Sequence, residues 1–440
     1  MMDTEHKTII DPEIVKSTLE HKNISDLGHS TIREVVTIVN EIEERTGEKF
    51  IRMEMGVPSL PPCPIGVEAE IEALKNGVAS KYSMLEGVPT FKSEASRFVK
   101  AFMNIDVDPA GCIPTNGSMQ GSYALFMGVS KIWPQKDTIL FIDPGFPVQK
   151  IQLEVLDIKH ETFDVFHYRG EKLKDKLESY LAKGNICAIV YSNPNNPTWI
   201  CFHEDELETI GNLANQYDTI VIEDLAYFGM DFRTDISIPY KPPYQPTVAR
   251  YTDNFALLIS SSKVFSYAGQ RLGTLCISNK LFNSYFESLK IRFGKANFGR
   301  VIVGRLLYSL SAGASHSAQY AIAAMYKAAC DGKFNIVKEV KEYGIRARLM
   351  KELFVKYGFS IIYDMDIDTP IADGFYFTIG YPGFTGGELL ERLLCYGISA
   401  IALKNTGSEK EGLRACVSHT EQSRFPILEE RLKLFAQSLH

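Results

Sequence analysis

Cys187-Ala-Ile-Val-Tyr is a short apolar run, and it is followed closely by the rigid turn sequence Asn193-Pro-Asn-Asn-Pro-Thr. Apolar runs of this length that end at turn-forming residues are typical of strands buried on both faces of a parallel sheet. Helical patterns at 171–183 and 204–217 suit the crossover connections of such a sheet. The same apolar pattern recurs on both sides, in runs that begin at Thr138, Thr219, Ala256 and Thr274.

The chain is predicted to form two domains, because single cores seldom grow beyond about 250–300 residues. The alternating pattern indicates a large α/β domain with a mostly parallel sheet over 61–329. A long charged helix is then predicted over 335–357, followed by shorter strands and further helices. We assign 330–440 to a smaller α+β domain. Residues 1–60 are expected to join it, because chain ends often lie close together.

Composition and charge exclude several classes of protein. Of the 440 residues, 45% are hydrophobic and the net charge is −7, which argues against a disordered chain. The chain has no long run of Lys and Arg, so nucleic-acid binding is not expected. The N-terminus Met1-Met-Asp-Thr-Glu-His-Lys lacks the apolar region of a signal peptide. No apolar stretch reaches the roughly 18–20 residues that cross a bilayer, so we expect a cytoplasmic protein without a membrane segment.

The eight cysteines do not suggest a metal site. They form no C-x-x-C pair, and several lie in apolar runs, so we expect buried, reduced thiols and no zinc site. The cysteines are Cys63, Cys112, Cys187, Cys201, Cys276, Cys330, Cys395 and Cys416.

A possible phosphate site precedes a predicted helix at roughly 119–131. Ligands of open α/β sheets bind outside the carboxyl ends of the strands, and Thr115-Asn-Gly-Ser-Met-Gln-Gly lies at such a position. Gly117 allows a tight turn, and Ser118 and Met119 would present free N–H groups at the helix N-terminus, which suits an anion. An ordinary helix cap explains the same residues.

Two further side chains follow predicted strands. Phe146 comes after the breaker Asp143-Pro-Gly, where its ring could stack on a flat ligand or simply pack in the core. Asn196 stands between two prolines, where its amide could hold a phenolate oxygen or form an Asx turn.

An acid and an amine complete the set. Asp224 lies at the end of a buried strand with Tyr227 three residues later, and a carboxylate there needs a partner such as a protonated ring nitrogen. Lys263 follows the strand 256–259, where a desolvated amine forms imines. Ser260 and Arg271 stand close enough in sequence to reach a phosphate, Arg271 through its bidentate fork.

This set resembles the fold-type I enzymes that depend on pyridoxal 5′-phosphate (PLP), specifically the class I/II aminotransferases related to aspartate and aromatic aminotransferases. The resemblance extends from about Ile32 to Val417. It is carried by the Asn-Pro-x-Asn-Pro-Thr element, the Asp-x-x-Tyr element and the Ser-x-x-Lys element with its Arg eight residues after the Lys.

The resemblance implies how PLP would be bound. Lys263 would form the Schiff base, Asp224 would pair with the pyridine nitrogen, and Tyr227 and Asn196 would hold the phenolic oxygen. Phe146 matches the aromatic residue that stacks on the ring. The phosphate would be held by Gly117, Ser118, Met119, Ser260 and Arg271.

The resemblance also implies how substrates would be bound. Arg414 matches the Arg that binds the substrate α-carboxylate, and Gly56 matches the glycine that approaches this carboxylate. Tyr82 lies in a Tyr-x(4)-Gly loop that reaches the phosphate of the neighbouring subunit in the family. A homodimer with shared active sites follows from this match.

The chain departs from the family pattern at several positions. Trp199 stands where a glycine normally follows Asn-Pro-Thr, so we expect a backbone outside the left-handed region there. Leu225 replaces an acid, Lys92 an arginine, and Ser59-Leu60 an Asp-containing bend. These changes affect the substrate and the subfamily rather than PLP binding.

The predicted reaction is exchange of an amino group between an L-amino acid and a 2-oxo acid. A PLP-dependent lyase or decarboxylase on the same scaffold stays open, because the fold does not choose the reaction. A non-enzymatic regulator is disfavoured because no DNA-binding module precedes the domain. The side chain of the substrate is not identified. Family members with dicarboxylate substrates use a second Arg from the partner subunit, and Arg292, Arg300 and Arg305 are the candidates for it. The aromatic run Phe375-Tyr-Phe would equally suit an apolar substrate side chain or merely the core.

Overall fold

The computed structural model describes residues 8–439, and the predicted polar N-terminus Met1-Met-Asp-Thr-Glu-His-Lys lies outside this range. The strands are β1 Ile51–Arg52, β2 Cys112–Thr115, β3 Thr138–Asp143, β4 Lys159–Asp164, β5 Ile186–Ser192, β6 Ile220–Leu225, β7 Phe255–Ser260, β8 Gly273–Ile277, β9 Ser360–Ile361, β10 Met365–Asp366, β11 Thr369–Pro370, β12 Tyr376–Gly380, β13 Ile398–Ser399, β14 Ile401–Ala402 and β15 Leu413–Cys416.

Helices alternate with the strands through most of the chain, and a π-helical segment Ile302–Leu307 joins two of the short ones. The α-helices are α1 Pro12–His21, α2 Ile32–Thr46, α3 Pro64–Lys75, α4 Pro89–Met103, α5 Ser118–Val129, α6 Pro147–Val155, α7 Lys172–Leu181, α8 Glu204–Gln216, α9 Asn279–Asn283, α10 Glu287–Phe293, α11 Phe298–Val301, α12 Tyr308–Ser311, α13 His316–Cys330, α14 Ile336–Lys356, α15 Gly386–Leu394 and α16 Phe425–Gln437.

The described residues divide into two compact units. The first contains the N-terminal residues up to Ser59, the short segment Asn196–Ile200 and the C-terminal residues from Glu342. The second contains Leu60–Asn195 and Cys201–Lys341. The sequence predicts divisions after 60 and after 329, and the two units meet after Ser59 and after Lys341. The short segment Asn196–Ile200 is the unexpected part, since it interrupts the second unit.

A seven-stranded sheet forms the centre of the second unit, in the order β2-β8-β7-β6-β5-β3-β4. Strand β8 runs antiparallel to both of its neighbours, and the other pairs are parallel. The fold-class prediction of a mostly parallel sheet between helices is therefore confirmed. Every residue of β5, β6 and β7 is buried, as expected for strands that helices cover on both faces.

Hydrophobic side chains of α5 pack against this sheet and form its main core. Ala124, Leu125 and Phe126 of the helix are fully buried, together with Val190 and Leu258 of the strands. Because parallel strands point their carboxyl ends toward one edge, the loops after β5, β6 and β7 come together at that edge.

The first unit has smaller sheets. Strands β14, β15, β12 and β9 form an antiparallel sheet in that order, and β1 pairs with β13 in parallel. Arg346 of α14 donates a hydrogen bond of 2.7 Å to the carbonyl of Ser418 and one of 3.2 Å to the hydroxyl of Ser59. These bonds tie the N-terminal and C-terminal parts of this unit together.

All eight cysteines are buried and free, so the prediction of buried thiols is confirmed. In residues 8–439 no helix is long and apolar enough to cross a membrane. A search of the same residues for clusters of three or more His, Cys, Asp or Glu side chains that could hold a metal ion found none.

Candidate functional site

Asp224 is a buried carboxylate near the end of β6. Its Oδ2 accepts a hydrogen bond of 3.0 Å from Nε2 of Gln149, and its Oδ1 accepts one of 3.1 Å from the N–H of Ala226. Burial raises the pKa of Asp224 to about 6, although these two donors favour the charged form. Within the described residues no cation pairs with it. The site therefore presents an acid whose natural partner is a cationic ligand atom.

Lys263 lies in the turn that directly follows Ser260, the last residue of β7, and its side chain is half-buried. Strand β7 pairs in parallel with β6, and Asp224 is in register with Leu258. Asp224 and the turn that carries Lys263 are thus at the same edge of the sheet. The hydroxyl of Ser261 donates a 2.5 Å hydrogen bond to the carbonyl of Leu272, which holds this turn in place.

The predicted phosphate site has the geometry of an anion cradle. Gly117 caps α5 with φ +71°, a conformation that favours glycine. The guanidinium of Arg271 lies against it, because a Cβ on Gly117 would be 2.6 Å from Nη2 of Arg271. The hydroxyl of Ser118 is buried and has no hydrogen-bond partner among the described residues. The helix N-terminus, this hydroxyl and the guanidinium together suit a bound phosphate.

Neighbouring residues brace the cradle. The carbonyl of Met119 accepts a hydrogen bond of 2.8 Å from Nε2 of Gln152 in α6. The hydroxyl of Ser260 accepts one of 3.1 Å from the N–H of Ser262. Met119 at the start of α5 and Ser260 at the end of β7 are therefore both held by hydrogen bonds.

Phe146 and Tyr227 lie in loops at the same edge of the sheet. Phe146 immediately precedes α6 and is half-buried, and Tyr227 follows β6 with 4% of its surface exposed. Nδ2 of Asn195 donates a 2.8 Å hydrogen bond to the carbonyl of Pro144. This bond connects the loop after β5 with the loop that carries Phe146.

Arg414 lies in β15 of the first unit and is only 2% exposed. Its Nη2 donates to the carbonyl of Glu54, and its guanidinium lies 4.6 Å from the centroid of the Tyr376 ring. Its Nε is buried without a hydrogen-bond partner in residues 8–439. The hydroxyl of Tyr376 lies over Gly56, where it would be 2.0 Å from an added Cβ. Gly56 and Arg414, which the sequence predicts as a pair, thus both contact Tyr376.

Trp199 corrects one expectation. The sequence predicts a backbone outside the left-handed region, but Trp199 has φ +66° and keeps the conformation that a glycine would adopt. Its indole is fully buried against Gly374, and an added Cβ on that glycine would be 1.8 Å from Cε2 of Trp199. Burial of the large side chain offsets the cost of the conformation. Asn196 lies three residues earlier in the same segment and is also buried.

The predicted partner-facing residues are on the surface. Tyr82 is 92% exposed, in the loop before α4. Arg292, Arg300 and Arg305 are exposed as well, and Nε of Arg305 donates a 2.9 Å hydrogen bond to the carbonyl of Phe293.

Two neighbours of the site were not singled out from the sequence. Gln149 carries no motif of its own, yet it lies three residues after Phe146, on the first turn of α6, and that spacing could have identified it. Tyr376 was noted only as part of an aromatic run. Its contact with Arg414 depends on the antiparallel pairing of β12 with β15, which one sequence does not reveal.

Comparison with known proteins gives the same family over most of the chain. The model of the family "Aminotransferase class I and II" matches residues 48–428. A probable aspartate aminotransferase of Methanocaldococcus jannaschii is 27% identical over 243 residues, which are 55% of this chain and 61% of that protein. A tyrosine aminotransferase of Caenorhabditis elegans is 30% identical over 213 residues, 44% of each chain. The chain spans about three-fifths of the length of the first of these relatives.

Solved structures share the fold. A double mutant of the aspartate aminotransferase of Thermus thermophilus has a TM-score of 0.72 at 17% identity, covering 93% of this chain and 96% of its own. The alanine aminotransferase of Pyrococcus furiosus has a TM-score of 0.73 at 21% identity with the same coverage. At these identities the likeness concerns the fold alone.

Proposed function

Because the chain belongs to the class I and II aminotransferase family, we propose that it is an aminotransferase that exchanges an amino group between an L-amino acid and a 2-oxo acid. The family and its fold are PLP-dependent. The observation that carries the proposal is Asp224, a buried acid that has neutral hydrogen-bond donors and no cationic partner among the described residues.

The residues of the second unit fit PLP. A protonated pyridine nitrogen would give Asp224 the cation that it lacks, and the carboxylate would in turn keep that nitrogen protonated. The phosphate would be held by Gly117, Ser118, Met119, Ser260 and Arg271. The hydroxyl of Ser118, which has no partner among the described residues, supports this assignment. When bound, PLP supplies an electron sink for the carbon that loses its proton.

Lys263 is proposed as the amine that holds the cofactor and then moves a proton. Its Nζ would take the proton from the α-carbon of the amino acid and return it to the cofactor side, acting first as general base and then as general acid. Tyr227 and Asn196 would donate hydrogen bonds to the phenolic oxygen, and Phe146 would stack on the ring. These groups orient the reacting bond and need not change their own charge.

Arg414 is proposed to bind the α-carboxylate of both substrates, next to Gly56. The buried Nε without a partner among the described residues supports this role, since a carboxylate would satisfy it and form a second, charge-assisted bond. An Arg held by a carbonyl and an aromatic face has little freedom to move, so the carboxylate would be bound in one orientation.

A homodimer with shared active sites is proposed from the exposed Tyr82, which would reach the phosphate held by a second copy. We also infer a cytoplasmic location and a part in amino-acid metabolism. The eight free thiols support the location, because reducing compartments keep such thiols free.

The function is tested by half-reactions with purified holoenzyme. A panel of amino acids is added one at a time, and the absorbance of the cofactor is followed until it is converted to its amino form. Addition of a 2-oxo acid should restore the first spectrum and release a new amino acid in equal amount. Release of ammonia or carbon dioxide without amino transfer would instead identify a lyase or a decarboxylase and overturn the proposal.

A further inference from the structure

Trp199 occupies a conformation that L side chains rarely adopt, at φ +66°. A non-glycine residue in the left-handed region persists only where its surroundings stabilise it by more than the strain costs. The stabilising contact here is burial of the whole indole, which has an exposed fraction of 0%. The indole fits because Gly374 has no side chain, as an added Cβ would lie 1.8 Å from the indole.

The indole is the first member of a row of ring contacts. Its centroid lies 6.2 Å from that of Tyr376, with the rings inclined by 69°, an edge-to-face arrangement. The face of Tyr376 in turn lies 4.6 Å from the guanidinium of Arg414, within the range of a cation–π contact. All three residues belong to the same compact unit. Trp199 is therefore connected to Arg414 through the ring of Tyr376.

Tyr376 is held on its other sides as well. Strand β12 places it in register with Cys416 of β15, and its hydroxyl lies over Gly56. The indole of Trp199 lies against the ring in addition to these two contacts. Removing the indole would leave a cavity of the size of the indole beside Tyr376. The side chains around such a cavity usually move part of the way into it.

We propose that Trp199 is a positioning residue for the carboxylate subsite: its indole, held against Gly374, fixes the ring of Tyr376 and thereby the guanidinium of Arg414. The inference rests on the proposed function in one respect, namely that Arg414 binds the substrate carboxylate. Glycine adopts the same backbone conformation, so Asn196 in this segment and the proposed cofactor ligands of the other unit should stay in place. The effect should therefore fall on substrate affinity and not on cofactor affinity.

The kinetic test compares Trp199→Gly with Trp199→Phe. Glycine suits the backbone at φ +66° better than tryptophan does, so a loss caused by Trp199→Gly is due to the missing indole and not to strain. We expect KM to rise about tenfold for both the amino acid and the oxo acid, with kcat and the Kd of PLP within about twofold. Trp199→Phe, which keeps an aromatic ring, should lie between this variant and the wild type.

The chain offers a matched control in Trp133, its other tryptophan. The Trp133 ring makes an edge contact with Phe286 at 5.9 Å and a cation–π contact with Lys136 at 4.7 Å, so Trp133→Ala removes comparable contacts away from Arg414. This control should leave KM unchanged. An unchanged KM in Trp199→Gly, or an equal rise in Trp133→Ala, would overturn the proposal. If Trp199→Gly does not fold, the proposal is overturned by a folded Trp199→Phe protein whose KM is unchanged.

A second readout needs no turnover. In a Trp133→Phe protein Trp199 is the sole tryptophan, so its emission reports on the surroundings of Tyr376 and Arg414. Titration of this holoenzyme with propionate, at constant ionic strength, should change the emission saturably, and Arg414→Gln should abolish the change. A saturable change in a protein without amino transfer would remove the proposed function and leave this inference standing. An emission that stays constant while calorimetry shows propionate to be bound would remove the inference.

Discussion

Asp224 illustrates at the scale of one residue how burial prepares a site for a ligand. The folded chain removes the carboxylate from water and gives it only the amide of Gln149 and a backbone N–H, so its pKa rises to about 6. A group held in this way costs stability whenever it is charged and unpaired. A cationic ring nitrogen would remove that cost by pairing with the carboxylate. Asp224 should therefore lower the stability of the cofactor-free protein and raise its affinity for the cofactor.

The first prediction concerns the stability of the cofactor-free protein. Because the pKa of Asp224 is about 6 when folded and near 3.8 otherwise, the folded state binds more protons between these values. The free energy of unfolding should therefore fall as pH rises from 4 to 6, by about 2 kcal/mol from this group. In Asp224→Asn this contribution should be absent, as measured by urea unfolding of both cofactor-free proteins over that range. Parallel curves for the two proteins would contradict the account, and in the PLP-bound wild type the contribution should disappear.

Residue identity alone could predict much of this site but not all of it. Lys263 and Asp224 were predicted because each lies at the end of a strand whose apolar run is plain in the sequence, and the structure has both at one edge of the sheet. The backbone of Trp199 was predicted wrongly, because propensity describes a residue in isolation. The space beside Gly374 that stabilises its left-handed conformation is a tertiary property.

At the scale of elements, the junction of β2 with α5 shows how a short turn forms an anion site. Gly117 at φ +71° turns the chain so that the first N–H groups of the helix point outward, and Arg271 closes over it. The helix N-terminus carries partial positive charge, so both elements favour a phosphate. The cradle thus depends on a position that has no room for a side chain.

The second prediction tests that position with Gly117→Ala. The added methyl would lie 2.6 Å from Nη2 of Arg271 and displace the guanidinium, so the Kd of PLP should rise at least about tenfold. Gly47→Ala is the matched control, because Gly47 has φ +77° and nothing within 4 Å of its added Cβ. Both variants should lose stability from the strained backbone, but only Gly117→Ala should lose cofactor affinity, as measured by fluorescence titration. Equal PLP affinities in the two variants would exclude the cradle.

Two of the strands that the sequence analysis missed have an unusual composition. Strand β4 has the sequence Lys-His-Glu-Thr-Phe-Asp, whose first four residues are exposed or half-buried because the strand lies at the sheet edge. Strand β2 contains Pro114 and lies at the opposite edge, where a missing N–H is tolerated. The apolar periodicity predicted strands β3, β5, β6, β7 and β8 and helices α5, α7, α8 and α14 to within about three residues. The sequence analysis gave no bounds for the long helices α4 and α13.

At the scale of the whole molecule, the proposed contact of Tyr82 with a second copy would mean that one chain does not form a complete site. Tyr82 is 92% exposed, so its side chain is accessible to a second copy of the chain. Symmetric dimers are the commonest soluble oligomers, and the proposed contact with the phosphate of a second copy would cover this side chain.

The third prediction tests shared sites by mixing two variants, Tyr82→Ala and Lys263→Ala. Each variant alone should have little activity, which is measured first. If the sites are shared, a mixed dimer has one site with both changes and one with neither, so activity should return to roughly a quarter of the wild-type value after random exchange. Mass spectrometry should first demonstrate that the subunits have exchanged. If activity then does not recover, or if light scattering shows an active monomer, a shared site is contradicted.

The central claim is that Lys263 holds the cofactor, and it can be measured directly. Holoenzyme is treated with borohydride, which makes the link between an amine and a carbonyl cofactor permanent, and the digested protein is analysed by mass spectrometry. We predict one modified peptide, with the pyridoxyl group on Lys263, and no modified peptide from Lys263→Ala. A pyridoxyl group on another lysine of the borohydride-treated wild-type holoenzyme, or none at all in a protein that turns over amino acids, would contradict the account.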